Sequence, residues 1–171
     1  MSQTLKTIIE ATQAQFRAEP GSAIAHFQSS SCLQNGLQTR AQMRQHEILV
    51  DEPPALGGAD SGPNPVELVL AALGTCQEIT YRAYATAMGI PLDGVSVELD
   101  GEIDLKGFFA VDPAARPGYR RITGKVTLVS TAPEEQLQNL RNAVNAHCPV
   151  LDMLTSPVPV ELELNVRRAA A

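Results

Sequence analysis

The chain has 171 residues and a formal net charge of −6, from 13 Lys and Arg set against 19 Asp and Glu. That length suits one domain able to bury about 70% of its unfolded surface, and scattered signs without a basic face argue against a nucleic-acid binder. Four Phe, three Tyr and no Trp leave the core to aliphatic side chains.

The N-terminus lacks the basic-then-apolar pattern of a signal peptide. The longest apolar run, Leu68 to Leu73, falls far short of the ~20 residues that span a bilayer. A cytoplasmic chain with reduced thiols and no membrane contact is therefore expected, and there a cysteine pair is more often chemical than a structural staple.

Residues 3 to 18 place Leu5, Ile8, Ile9, Thr12 and Phe16 at helical spacing, and Pro20-Gly21 ends that amphipathic helix. This segment, 1–20, reads as an added helix, with 21–171 as the single main domain. A strand is expected from Ala23 to Ser29. Leu37, Thr39, Ala41 and Met43 alternate with Gln38, Arg40, Gln42 and Arg44 as a two-sided strand. Ile48 to Val50 follows as a further extended piece after the polar turn at Gln45-His46.

Asp51 to Pro63 is a connector rich in Pro and Gly, suited to a tight backbone approach to a site. It lacks phosphate-loop spacing, because no Gly-Lys-Ser/Thr follows. Asn64 to Met88 then reads as one long core helix. Asn64 caps it, Pro65 takes the first position, Glu67 puts negative charge in the first turn, and Gly89 with Pro91 closes it. About 25 residues at roughly 1.5 Å each make about 37 Å, near the width of a small domain. Leu68 to Leu73 is apolar all round, whereas beyond Cys76 the apolar positions thin to Ile79, Ala83 and Ala87.

The period then changes to two. Val95, Val97, Leu99, Ile103 and Leu105 share one face of a strand, and a second strand runs through Arg121 to Leu128. The loop between them, Gly107 to Tyr119, is longer than a hairpin needs. It carries Phe108 and Phe109, which either anchor the loop or wall an apolar pocket. Pro133 opens another helix, with Thr131 as cap and Glu134-Glu135 in its first turn, followed by Leu137, Leu140, Val144 and His147. Cys148-Pro149 breaks it. Val150 to Leu154 forms one more helical turn, and Val158 to Val166 alternates as a last strand. The order describes an α+β domain without internal repeats.

Cys76 and Cys148 are the candidate constellation. Cys76 is open to two readings, a small buried hydrophobe or a functional thiol. Cys148 precedes Pro149 at the start of a short helix, where thiol pKa values fall. Cys32, in the run SSSC, looks incidental. No metal or other cofactor is expected: there is no Cys-x-x-Cys, and His26, His46 and His147 form no ligand pattern.

The run GGADSGPNPVELVLAALGTC, followed some seventy residues on by AHCPVLDML, resembles the OsmC/Ohr family of thiol-dependent hydroperoxide reductases, of the OsmC-like subgroup. The likeness extends from about Ser30 to Val166. It implies antiparallel sheets wrapped around long central helices in an intertwined homodimer, with active sites at the subunit interface. It also implies a peroxidatic thiol at Cys76 and a resolving thiol at Cys148, an organic hydroperoxide as substrate, and an external dithiol as reductant.

A thiol near pKa ~8.5 is only a few per cent thiolate at pH 7, and apolar burial lowers that fraction. Cys76 therefore calls for a cation, which its helix neighbours Ala72, Leu73, Ile79 and Thr80 do not provide. The best-studied peroxidase members carry an arginine on an early strand and a glutamate directly after the helix-opening proline. Here Val66 follows Pro65 and the glutamate comes at Glu67. The arginine position falls near Gln34-Asn35, with Arg40 and Arg44 as nearest substitutes. Glu67 and Arg40 complete the candidate catalytic set, although nine residues put Glu67 about 13.5 Å along the helix from Cys76. Two alternatives accompany the peroxidase: a catalytically weak OsmC-like protein that binds a small ligand or senses oxidants, and a hotdog-like thioesterase.

Overall fold

The computed structural model describes residues 2–168, leaving Met1 and the end of the expected 21–171 domain outside. Its helices are α1 (Ser2–Ala18), α2 (Pro65–Met88), α3 (Leu105–Phe108), α4 (Glu134–His147) and α5 (Pro149–Thr155); its strands are β1 (Ser30–Leu33), β2 (Thr39–Met43), β3 (His46–Val50), β4 (Gly94–Ile103) and β5 (Tyr119–Val129). The strands form two antiparallel sheets, β1-β2-β3 and β4-β5. The arrangement is α+β.

The signals at both ends of α2 act as read. Asn64 accepts from the Glu67 N–H while the Glu67 carboxylate accepts from the Asn64 N–H, a complete capping box, and Gly89 ends the helix in the left-handed region at φ 69°. Its buried residues, Leu73, Gln77, Thr80, Tyr81 and Ala85, make one stripe at helical spacing. Burial nevertheless runs opposite to the expected order. The apolar stretch Leu68 to Leu73 is half-exposed or exposed apart from Leu73, whereas the half beyond Cys76 carries most of the stripe. The reason is packing: Tyr81 and Ala85 join Ile90, Leu92, Leu140 and Val144 in the core, so α4 covers that half. Glu78 accepts from the Val97 N–H at 3.2 Å, tying α2 to β4, and the Tyr119 hydroxyl donates to the Val66 carbonyl at 2.8 Å, tying β5 to the first turn.

Several expected elements differ. No strand forms from Ala23 to Ser29; Pro20–Ala23 is a short 3-10 turn, and the first strand is β1, whose polar sequence SSCL gave no apolar alternation to read. The β2–β3 turn centres one residue earlier than expected, with Arg44 at φ 56°. Leu105 leaves the strand to start α3, capped by Asp104, which accepts from the Lys106 N–H. Pro133 is the N-cap of α4 rather than its first helical residue, and no side chain caps that end, so Thr131 does not serve. Phe108 and Phe109 meet edge to face at 5.0 Å and stay exposed, Phe108 at 66%. They do not anchor the loop in the core.

The expected last strand is also absent: Val158 to Val166 pairs with no strand among the described residues, and Val160, Leu162 and Leu164 are exposed. A strand needs a neighbour for its N–H and C=O groups, and the single chain offers this segment none. The connector after β3 does make close approaches, but to its own backbone and to β3, where a Cβ on Gly62 would lie 2.3 Å from the Leu49 carbonyl oxygen. A Cβ on Gly58 would lie 1.8 Å from the Glu52 carbonyl oxygen, and buried Asp51 accepts from the N–H groups of Glu52, Ala59 and Ser61. These bonds, that from Ser61 first, hold the Asp51 carboxyl below its ordinary pKa.

Candidate active site

Two local features bring the distant cysteines together. Cys76 lies on the border of the buried stripe of α2 and is half-exposed. Cys148 lies at the corner between α4 and α5 and is 1% exposed. The corner follows from Pro149, whose ring disfavours helical geometry in the residue before it. Cys148 is accordingly extended, at φ −77° and ψ 112°. The backbone there remains satisfied: the Cys148 N–H donates to the Val144 carbonyl at 2.9 Å, and its own carbonyl accepts from Asp152 at 3.0 Å. With Leu140 and Val144 in the core, the corner is fixed against α2, and the Cys148 Sγ sits 3.4 Å from the Cys76 Sγ.

The electrostatics disfavour a free thiolate. Burial pushes the Cys76 thiol above its ordinary pKa, and the adjoining Cys148 sulfur adds to the rise. The backbone N–H of Val150 and the Thr80 hydroxyl oppose it. No arginine, lysine or histidine is among these groups. His147 precedes Cys148 yet stacks on Tyr84 at 5.1 Å, with its Nδ1 2.8 Å from the Ala143 carbonyl oxygen.

Of the four candidate residues, Cys76 and Cys148 are brought together and the other two are occupied elsewhere in this chain. Glu67 is held in the capping box at the exposed start of α2. Arg40 reaches diagonally across β2–β3 to Glu47, both half-exposed. The groups that sequence reasoning missed are Thr80 and the Val150 N–H. Thr80 stood out only as an uncharged neighbour one turn from Cys76, and a backbone donor leaves no mark in a sequence. Among the described residues, no group of three His, Cys, Asp or Glu side chains is placed to hold a metal ion, and no helix is long and apolar enough to cross a membrane. A recess of about 680 Å³ lined by His26, Phe27 and Arg44 includes neither thiol.

The cysteine corner falls inside a recognised pattern. Residues 58–163 match the model of the OsmC-like protein family, and the chain belongs to that family. Its fold is shared with solved structures of low identity. An OsmC-like protein from Mycoplasma pneumoniae is 19% identical, with TM-score 0.67, over 78% of this chain and 89% of that one. An organic hydroperoxide resistance protein OsmC from Legionella pneumophila is 16% identical, with TM-score 0.61, over 78% and 92%. An organic hydroperoxide resistance protein from Elizabethkingia anophelis is 16% identical, with TM-score 0.61, over 79% and 91%. No curated protein matches the sequence. The family includes organic hydroperoxide resistance proteins.

Proposed function

We propose that the chain is a thiol-dependent peroxidase that reduces organic hydroperoxides in the cytoplasm as part of oxidative-stress defence. The observation that carries this reading is the 3.4 Å between the two sulfurs. The half-exposed Cys76 is open to a substrate, while Cys148 is buried behind it. The Cys76 thiolate attacks the terminal oxygen of a hydroperoxide. The O–O bond breaks, the alkoxide leaves and takes up a proton to become the alcohol, and Cys76 becomes a sulfenic acid. The Cys148 thiolate attacks the Cys76 sulfur, a disulfide forms, and the transferred oxygen leaves as water. The two thiols have then supplied two electrons, which an external dithiol returns by exchange.

The working unit of this proposal is an intertwined homodimer. The β1–β3 sheet exposes Leu33 and Met43, and the Val158–Val166 segment exposes its apolar side chains. A second copy of the chain would bury both and give the segment a strand to pair with.

The test is to treat reduced protein with a small excess of tert-butyl hydroperoxide and count thiols. Two should disappear per chain, with Cys76 and Cys148 recovered in one linked pair of peptides and Cys32 still free. If Cys76 and Cys148 both remain reduced, the peroxidase reading fails. A second reading, a weak family member that binds a small ligand or senses oxidants, is favoured by the raised Cys76 pKa, on which no cation among the described residues acts. An alkylation pKa above about 8 would support that reading over rapid turnover.

A further inference from the structure

We propose that Thr80 is a positioning residue for the Cys76 thiolate, its hydroxyl turning from a backbone carbonyl to the sulfur when the sulfur ionises. The proposal rests on Cys76 as the nucleophile and not on any particular substrate.

Thr80 lies one turn after Cys76 and is 8% exposed. Its Oγ1 donates to the Cys76 carbonyl oxygen at 2.7 Å. In helices threonine divides between two χ1 states because its hydroxyl can bond the carbonyl one turn back, so the hydroxyl has an alternative direction available. Moving the proton orphans nothing: in the α-helical ladder, the Cys76 carbonyl is also the partner of the Thr80 backbone N–H. While the sulfur is protonated, the hydroxyl donates to the carbonyl. Once the sulfur is a thiolate, it becomes the stronger acceptor.

The chain has reason to use an uncharged donor here. Ionisable groups sit on every element packed against α2: Arg141, which acts on Tyr81, with His147 and Cys148 by α4, Asp152 on α5, Glu98 on β4, and Lys6 and Glu10 on α1. Only Cys148 is among the groups that shift the Cys76 sulfur, and it disfavours the thiolate. The influences that favour ionisation come from two neutral donors, the Val150 N–H first and then the Thr80 hydroxyl. Val150 follows Pro149 in the first turn of α5, where backbone N–H groups have no intrahelical partner. That donor belongs to the α5 backbone and stays with any side chain. Thr80 is the donor that a substitution can remove.

The experiment measures iodoacetamide labelling of Cys76 against pH, read by peptide mass so that the other cysteines remain in place, in wild type, Thr80→Val and Thr80→Ser. Valine keeps the branched shape without the hydroxyl, and serine keeps the hydroxyl without the methyl. The expected result is about a fivefold lower rate at pH 7 for Thr80→Val, the margin by which a hydrogen bond to an ionised acceptor exceeds one to a neutral carbonyl. The high-pH plateau should be unchanged, and Thr80→Ser should follow wild type. A wild-type profile for Thr80→Val overturns the proposal, as a cation brought by a second copy would produce. So does Thr80→Ser matching Thr80→Val, or a plateau lowered in both, since either result makes Thr80 a packing residue. Labelling needs no hydroperoxide, so failure of the peroxidase reading would leave this result standing.

Discussion

Two regions of the molecule are built to different degrees of completion. Where α2 meets α4, the chain closes on itself: Tyr81, Leu140, Val144 and Cys148 are almost wholly buried, and the sulfur pair is held there by one corner. The β1–β3 sheet and the Val158–Val166 segment are open, with Leu33, Leu162 and Leu164 facing outward. A single chain thus assembles both thiols, but it leaves an open sheet and an apolar unpaired segment facing water. The difference teaches that the sulfur pair is assembled within one chain, whereas what surrounds that pair would depend on whatever covers the open regions.

The largest effect should come from charging the open region. Leu164 is exposed in the single chain, so Leu164→Asp should leave the isolated fold within about 0.5 kcal/mol of wild type. If a second copy covers that side chain, the same change buries an uncompensated charge, costing about 3–5 kcal/mol of association. Light scattering across a dilution series should show wild type at twice the chain mass and Leu164→Asp falling to one chain. Equal masses for the two proteins would break the comparison, because the segment would then be no interface. The closed region should behave oppositely. Leu140 is 0% exposed, and Leu140→Ala should cost about 2–5 kcal/mol through lost burial and a residual cavity. The check is denaturant unfolding, together with slower 76–148 disulfide formation as the corner loosens.

Much of this architecture was legible because periodicity and punctuation are local. Asn64, Pro65, Glu67 and Gly89 mark the ends of α2 through groups that act within four residues of themselves. Pro149 likewise betrayed the corner that carries Cys148. What escaped was set by partners distant in sequence. β1 is a strand because Ser30 to Leu33 pair with Thr39 to Gln42, not because its residues alternate. Val158 to Val166 alternates and yet forms no strand, because alternation specifies a face and cannot supply a neighbour. The burial of α2 obeys the same rule: hydrophobicity shows which residues can be covered, while the position of α4 decides which are. At the site, the two cysteines stand out by placement, one inside the long helix and one before Pro149, and the family likeness gives them roles. The Val150 N–H could not be seen before the corner was folded.

The smallest predicted effect decides whether Glu67 belongs to the closed region or to the open one. Within the chain its carboxylate accepts from the Asn64 N–H at 2.8 Å, a task glutamine performs equally in a capping box. Glu67→Ala should therefore cost about 1 kcal/mol of stability, while Glu67→Gln should unfold almost with wild type. If capping is the whole role, neither change should alter the peroxide-driven loss of thiols once the protein is folded. A Glu67→Gln protein of normal stability that loses its thiols tenfold more slowly would give a different answer. The charge itself would then be needed at a thiol about 13.5 Å away along the same helix. A charge at that distance acts weakly on its own Cys76, so it would have to be working on the Cys76 of a second chain.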